Sequence, residues 1–190
     1  DAGVAFTVLT DLSGRLMKER GGGDLVTWRN LLAGNGIALG AAPEYRDDIE
    51  ALKRHSKRIS EALGAYEKIE VDSGAPLTVQ RDCQSAAEAA VRSGPLLIIG
   101  EPGAGKSGVL NALAKTLSAS GADVLELAVD RYSVESLEGL SLELGLKRPL
   151  LEVLEAWDGS KPAYLVIDAL DATRGGRGEG VFRSLIERVL

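Results

Sequence analysis

The spacing of apolar residues predicts helices in the N-terminal third of the chain. Apolar residues recur every four positions near the start, and an α-helix brings such residues to one face. They are Val4, Val8, Leu12 and Leu16. The glycine triplet at 21–23 ends this pattern, and Asp24 is placed to cap a second short helix. That helix carries Leu25, Trp28, Leu31 and Leu32, and the glycines at 34, 36 and 40 then predict a loop.

Residues 43–69 form the longest periodic segment. Its seam positions alternate four and three apart: Tyr45, Ile49, Leu52, Ser56, Ile59, Leu63 and Tyr66. Such a seam is typical of a helix that packs lengthwise against one neighbour. Because Ser56 interrupts the seam, an intramolecular helical hairpin is favoured. An intermolecular coiled coil is the alternative. His55, the only histidine, lies beside the seam among basic residues and predicts a solvated surface side chain without a catalytic role.

Residues 77–190 alternate between helical and strand patterns. Helices are predicted over residues 81–91, 106–118, 133–144, 150–157 and 181–190, and strands over 96–99, 124–129 and 164–167. This alternation is typical of an α/β fold with a parallel sheet and helical crossovers. We therefore predict a helical region over residues 1–72, a short linker at 72–76 and an α/β region over residues 77–190.

Composition and charge narrow the function classes. The 190 residues are 45% hydrophobic, which is enough to bury a core. The net charge of −6 gives no overall attraction to nucleic acid or to an anionic membrane. No apolar run approaches the about 18 residues that a membrane-spanning helix needs. The single cysteine, Cys83, favours a reducing, cytoplasmic location, and its alanine-rich helix predicts a buried or half-buried side chain there.

Residues 100–107 read GEPGAGKS and match the phosphate-binding pattern G-x-x-x-x-G-K-[ST] at each fixed position. The three glycines allow tight turns that present backbone N–H groups to an anion, and the positive end of the helix predicted from Lys106 faces the same place. Lys106 would bind the β- and γ-phosphates, and the Ser107 hydroxyl would bind Mg²⁺. The predicted nucleotide-binding residues are Gly100, Glu101, Pro102, Gly103, Ala104, Gly105, Lys106, Ser107 and Gly108. A purely structural glycine turn is the alternative.

Residues 163–168 read AYLVID, an apolar strand that ends in an aspartate. Downstream of a phosphate-binding loop this is the Walker B arrangement, in which Asp168 would hold Mg²⁺ opposite Ser107. Asp171 follows three residues later and would polarise the attacking water as a general base, unless it is a helix or loop cap. The predicted catalytic residues are therefore Lys106 and Asp171, and the predicted metal ligands are Ser107 and Asp168.

The two motifs together, GEPGAGKS at 100–107 and LVIDALD at 165–171, resemble the STAND class of P-loop ATPases, with NACHT-type signalling ATPases closest in pattern. In that family a small, an apolar and an acidic residue typically follow the Walker B aspartate, as Ala169, Leu170 and Asp171 do. Ala172 departs from the pattern, since a further acidic residue is often found there, so binding is implied more strongly than hydrolysis. The resemblance implies that residues 77–190 bind ATP with Mg²⁺, hydrolyse the β–γ bond and act as an ATP/ADP-dependent signalling or regulatory switch.

The resemblance also implies a sheet of order 5-1-4-3-2, in which a fourth strand separates the phosphate-loop strand from the Walker B strand. The sequence supplies the first three strands, opens on Asp1 and ends at Leu190 within a predicted helix. We therefore expect an internal fragment that by itself is poorly stable and hydrolyses ATP slowly or not at all. The N-terminal helices would be a linker or effector-side region, and a protein partner or self-oligomer would contact domains that this fragment lacks.

The sequence leaves two alternative roles for each of two groups of residues. The resemblance implies that the adenine lies against residues 77–81, where Arg81 is either a nucleotide ligand or a surface residue. Arg174 and Arg177 follow the second motif in a glycine-rich stretch. They form either a solvated loop or an arginine finger that acts on a neighbouring site or touches a partner.

Three other functions are weighed against the ATPase switch. An AAA+-like ATPase acting on nucleic acid is disfavoured by the net charge of −6 and by Ala169, where many such enzymes have glutamate. A P-loop kinase would need a substrate site and a lid rich in arginine, for which only Arg174 and Arg177 are available. A non-hydrolysing adaptor would bind ATP without turnover.

Overall fold

The computed structural model describes residues 2–18, 28, 31–32, 34–37, 42–64, 68–69, 77–78, 81–157, 161–173, 176 and 178–190. The helices in these ranges are α1 (Ala2–Lys18), α2 (Arg46–Leu63), α3 (Gln84–Val91), α4 (Lys106–Ala119), α5 (Leu137–Glu143), α6 (Leu150–Glu155) and α7 (Gly178–Val189). Short 3₁₀ turns span Pro43–Tyr45, Val129–Arg131 and Leu170–Thr173. The strands are β1 (Lys68–Ile69), β2 (Leu77–Thr78), β3 (Asp123–Ala128) and β4 (Ala163–Asp168).

The predicted N-terminal helix is confirmed as α1. Three of its hydroxyl side chains donate to the backbone carbonyl four residues earlier, which satisfies them within the helix: Thr7, Thr10 and Ser13. Trp28, Leu31 and Leu32 are also helical, and a turn with Gly36 at a φ of +75° follows. The glycine triplet at 21–23 and the predicted cap at 24 lie outside the described residues.

Helix α2 buries the predicted seam inside the protein. Its apolar positions Ile49, Leu52, Ile59 and Leu63 are at most 5% exposed. They lie mainly along strand β3, with helix α4 beside them. Packing within the chain is therefore confirmed, but the predicted helical hairpin is wrong, because the main neighbour of α2 is a strand. The spacing of the seam residues predicts that one face of the helix is buried, but it does not predict which element covers that face.

Ser56, the polar member of the seam, closes the outer edge of β3. Its Oγ donates to the carbonyl oxygen of Val124 at 2.9 Å and accepts from the backbone N–H of Glu126 at 2.9 Å. These are backbone groups that a further strand would otherwise pair. A helix thus covers the edge of the sheet through one side-chain hydroxyl.

Strands β3 and β4 form a parallel sheet, which confirms the α/β fold class. The register runs from Asp123 opposite Ala163 to Ala128 opposite Asp168, so the carboxyl ends of both strands meet at one edge. A separate antiparallel pair, β1 with β2, is absent from the sequence prediction. Strand β1 lies within the predicted helix over 43–69, because α2 already ends at Leu63.

Both faces of the β3–β4 sheet are covered. Leu125 and Leu127 pack with α2, α5, α6 and α7 in the main core, where Phe182 and Leu185 are at most 1% exposed. Val124 faces a smaller cluster of α3 and α4 residues on the other side. Successive side chains of β3 therefore pack against helices on opposite faces of the sheet, as expected for a parallel sheet between helices.

Several predicted helices begin at other residues in the structure. Helix α5 begins at Leu137 rather than at 133, because the Ser136 side chain caps it by accepting from the backbone N–H of Gly139 at 3.0 Å. Helix α3 begins three residues later than predicted and α7 three residues earlier. The helix predicted over 106–118 and the strands over 124–129 and 164–167 are confirmed to within one residue at either end.

Candidate functional site

The predicted phosphate-binding segment, residues 100–107, consists of a tight loop and the first two residues of α4. We call it the glycine loop. Gly103 and Gly105 have φ values of +79° and +84°, which other residue types rarely adopt. Gly105 is also the N-cap of α4, and the backbone N–H of Ala104 donates to the carbonyl of Glu101 at 3.1 Å. Two of the three predicted glycines are therefore required by the backbone itself.

Lys106 lies across the glycine loop. Its Nζ donates to the carbonyl oxygens of Gly100 at 3.0 Å and Glu101 at 3.2 Å. An ammonium group has three donors, so one is left beyond these two bonds. Ser107 is half-buried and Gly108 buried in the first turn of α4. The lysine charge thus lies at the positive end of the α4 dipole.

Asp168 and Asp171 follow the second strand of the sheet. Asp168 is the last residue of β4 and is 7% exposed. Ala169 has a φ of +55°, the left-handed region that costs a residue with a side chain about 1–2 kcal/mol. This turn directs the chain into the Leu170–Thr173 segment, where Asp171 is exposed. A small residue after Asp168 is what such a turn accommodates most easily.

One cavity of about 850 Å³ joins the glycine loop to these aspartates. Gly100 and Lys106 line this cavity together with Asp168 and Asp171. The fold therefore brings together residues that are more than 60 positions apart in sequence. The predicted catalytic pair and one predicted metal ligand share this cavity.

The same cavity, which we call the slot, is also lined by apolar side chains. They come from residues 96–99 and from Ile167, Leu170 and Ile186. Leu97 is 72% exposed and Ile99 is 84% exposed. The predicted strand over 96–99 is wrong for the described part of the chain, where the sheets are β1–β2 and β3–β4. In the described part of the chain no strand pairs with residues 96–99.

Arg81 is half-buried and lies against the glycine loop. Its guanidinium contacts Gly105 and Gly108. Leu77 is in strand β2, and Arg174 and Arg177 lie outside the described residues. Cys83 is exposed, so the prediction of a buried or half-buried side chain is wrong. It precedes the first turn of α3, whose inward face is formed by Ala87.

His55 is 9% exposed, so the prediction of a solvated histidine is wrong. Its Nε2 lies 2.6 Å from the Tyr132 hydroxyl, and the Tyr132 ring lies 6.0 Å from that of Phe182. Burial lowers the pKa of His55, and the nearby Arg58 and Arg131 lower it further. Burial also raises the pKa of Tyr132. This contact links α2 to the core, and neither residue lines the cavity.

Among the described residues no cluster of three or more histidine, cysteine, aspartate or glutamate side chains could hold a metal ion. A magnesium ion bound to phosphates needs only one or two protein ligands, so a hydroxyl and a carboxylate suffice for it. No helix in the described ranges has the length and apolar character to cross a bilayer. Comparison with protein-family models, curated proteins and solved structures finds no match for this chain.

Proposed function

We propose that this chain contains a P-loop NTPase domain of the STAND class, similar to NACHT ATPases, which binds ATP with Mg²⁺. The observation that carries the proposal is the shared cavity, which Lys106 of the glycine loop lines together with Asp168 and Asp171. A glycine loop alone is compatible with a structural turn. A cation and two carboxylates at the end of a parallel strand favour a site for phosphate and metal.

Phosphate binding follows from the start of α4. The first N–H groups of a helix have no partner within the helix, and its dipole adds a partial positive charge. Lys106 contributes a full charge at the same place, held by two carbonyl oxygens of the loop. In the proposed complex the Lys106 ammonium donates hydrogen bonds to the β- and γ-phosphate oxygens instead of to the loop carbonyls.

Magnesium would be held by Ser107 and by Asp168. Asp168 is fixed at the end of β4, where its carboxylate is mostly buried. Asp171 lies one turn further along and is exposed, so that it is accessible to water. In this proposal Asp171 orients and deprotonates the water that attacks the γ-phosphate, which releases ADP and phosphate.

The slot supports the proposed strand order 5-1-4-3-2. In that order the second and third strands are neighbours, as β3 and β4 are. In that order one further strand lies between the phosphate-loop strand and the third strand, and residues 96–99 line the slot together with the end of β4 without pairing with it. The exposed Leu97 and Ile99 would become buried by such a strand.

The proposed role is a nucleotide-dependent switch in the cytoplasm. ATP and ADP differ by the γ-phosphate, which would contact Lys106 and the magnesium held at Asp168. A conformational change needs a ligand that binds two states unequally, and the γ-phosphate provides that difference. A protein partner or a second copy of the protein would respond to the change.

Two aspartate variants test the proposal. Asp168→Asn should weaken ATP binding in the presence of Mg²⁺ and leave binding in EDTA unchanged, because it removes a metal ligand. Asp171→Asn should preserve binding and lower the rate of phosphate release. Asp130→Asn, at an exposed position outside the cavity, is the matched control. Equal Mg²⁺ dependence in wild type and Asp168→Asn would contradict the proposed metal site.

A further inference from the structure

We propose that Arg81 is an additional cationic ligand of the nucleotide and contacts the phosphate nearest the nucleoside. The proposal rests on nucleotide binding by the glycine loop. It assigns a specific role to a residue that lies outside the loop and 25 positions before Lys106.

The Arg81 guanidinium packs directly on two glycines. A Cβ added to Gly105 would lie 2.6 Å from Arg81 Nη2, and a Cβ added to Gly108 would lie 2.8 Å from Arg81 Nη1. Both distances are shorter than side-chain carbons tolerate. The guanidinium can therefore occupy this place only because neither position carries a side chain.

Gly108 has no backbone reason to be glycine. Gly105 needs its φ of +84°, whereas Gly108 lies within helix α4. Glycine in a helix interior costs about 1 kcal/mol relative to alanine. Contact with Arg81 explains why the chain accepts that cost at the first turn of this helix.

The charge of Arg81 is placed where an anion would offset it. It lies at the positive end of the α4 dipole, next to the turn that carries Lys106. No ion pair to Arg81 occurs among the described residues. Two cations and a helix N-terminus repel each other until a phosphate binds between them, and guanidinium groups form short, charge-assisted bonds to phosphate oxygens.

The position of Arg81 indicates which phosphate it contacts. Lys106, Asp168 and Asp171 line the cavity proposed for the terminal phosphate and magnesium. Arg81 is not among the residues lining that cavity, and it contacts the loop at Gly105 and Gly108 instead. The polyphosphate chain therefore runs from the cavity toward Arg81, and the α-phosphate lies at the Arg81 end.

Isothermal titration of ADP and ATP into wild type and Arg81→Ala tests this assignment. We expect Arg81→Ala to lower both affinities by the same factor, about 10- to 100-fold, because both nucleotides carry the α-phosphate. Arg92→Ala, which removes an exposed arginine at the end of α3, should bind as wild type does. Unchanged binding by Arg81→Ala, or a loss confined to ATP, would overturn the assignment.

Gly108→Ala provides a second test that keeps the arginine. The new Cβ displaces the guanidinium, while alanine favours the helix. We expect ADP affinity to fall as in Arg81→Ala, with a melting temperature at least as high as that of wild type. In the double variant the affinity should equal that of Arg81→Ala alone, because the same contact is lost once. A further loss in the double variant would show that Gly108 acts independently of Arg81 and would refute the claim that position 108 is glycine to admit the Arg81 guanidinium.

Failure of this inference is distinguishable from failure of the proposed function. If wild type binds neither ADP nor ATP, nucleotide binding itself is wrong. If wild type binds both and Arg81→Ala binds them equally well, only the role of Arg81 is wrong.

Discussion

The two hydrogen bonds between Ser56 and the edge of β3 give a quantitative test of the fold. Ser56→Ala removes one hydroxyl that serves both the Val124 carbonyl and the Glu126 N–H. Ser56 is 6% exposed, so water has little access to the groups left behind. Each orphaned backbone group costs about 1–2 kcal/mol, and alanine returns about 0.5 kcal/mol in helix propensity. We expect a net loss of about 1.5–3.5 kcal/mol in the free energy of unfolding.

Thermal and urea unfolding, followed by circular dichroism, measure this loss. For a chain of this length the melting temperature should fall by about 3–14 °C. Ser85→Ala is the matched control, since it makes the same change at an exposed position of helix α3. Its stability should stay within about 0.5 kcal/mol of wild type. A Ser56→Ala protein as stable as Ser85→Ala would refute the claim that this hydroxyl seals the sheet edge.

Two further predictions concern buried polar side chains of α2. The pKa of His55 is lower in the folded protein than in the unfolded chain. As the pH falls through about 6.5, the unfolded chain therefore binds a proton that the folded protein does not, and the free energy of unfolding should decrease. Unfolding at pH 7.5 and 5.5 should show a larger decrease for wild type than for His55→Gln, and equal decreases would contradict the burial of His55. Asp48 is 1% exposed and accepts from the backbone N–H of Lys147 at 2.8 Å, so Asp48→Ala should cost about 1–3 kcal/mol in urea unfolding. Asp47→Ala, which breaks only the exposed pair with Lys147, should cost less than about 1 kcal/mol, and equal costs would refute the distinction.

The sequence predicts well those features that depend on local pattern. Strands β3 and β4 are short, mainly apolar segments between polar breaks, and their alternation with helices indicates a parallel sheet. The start of α4 at Lys106 follows from the glycines before it. Local patterns of this kind do not depend on which distant residues cover them.

Features that depend on tertiary contacts could not be predicted. Ser56 reads in sequence as a flaw in an apolar seam, because only the structure places the edge of β3 beside it. His55 reads as a surface residue because its neighbours in sequence are basic, whereas its partner Tyr132 is 77 residues away. Residues 96–99 have the composition of a strand but no pairing partner among the described residues, and a strand assignment requires one.

Some features of the candidate site could likewise be predicted from the sequence, whereas others depend on the fold. The motifs identify Lys106, Asp168 and Asp171 individually, and the structure adds that they line one cavity. The left-handed turn at Ala169 is not readable from an alanine, which adopts that conformation rarely. The packing of Arg81 on Gly105 and Gly108 likewise depends on the fold, since nothing in the local sequence brings them together.

Binding of ATP to a Lys106 variant tests the central claim most directly. Isothermal titration with ATP and Mg²⁺ should show binding by wild type and equal binding by Lys161→Ala, which removes an exposed lysine outside the cavity. Lys106→Ala should reduce the affinity by about 10- to 100-fold or more, because the charge facing the β- and γ-phosphates is lost. No binding by wild type, or equal affinity in wild type and Lys106→Ala, would contradict the proposal that residues 100–107 bind a nucleotide.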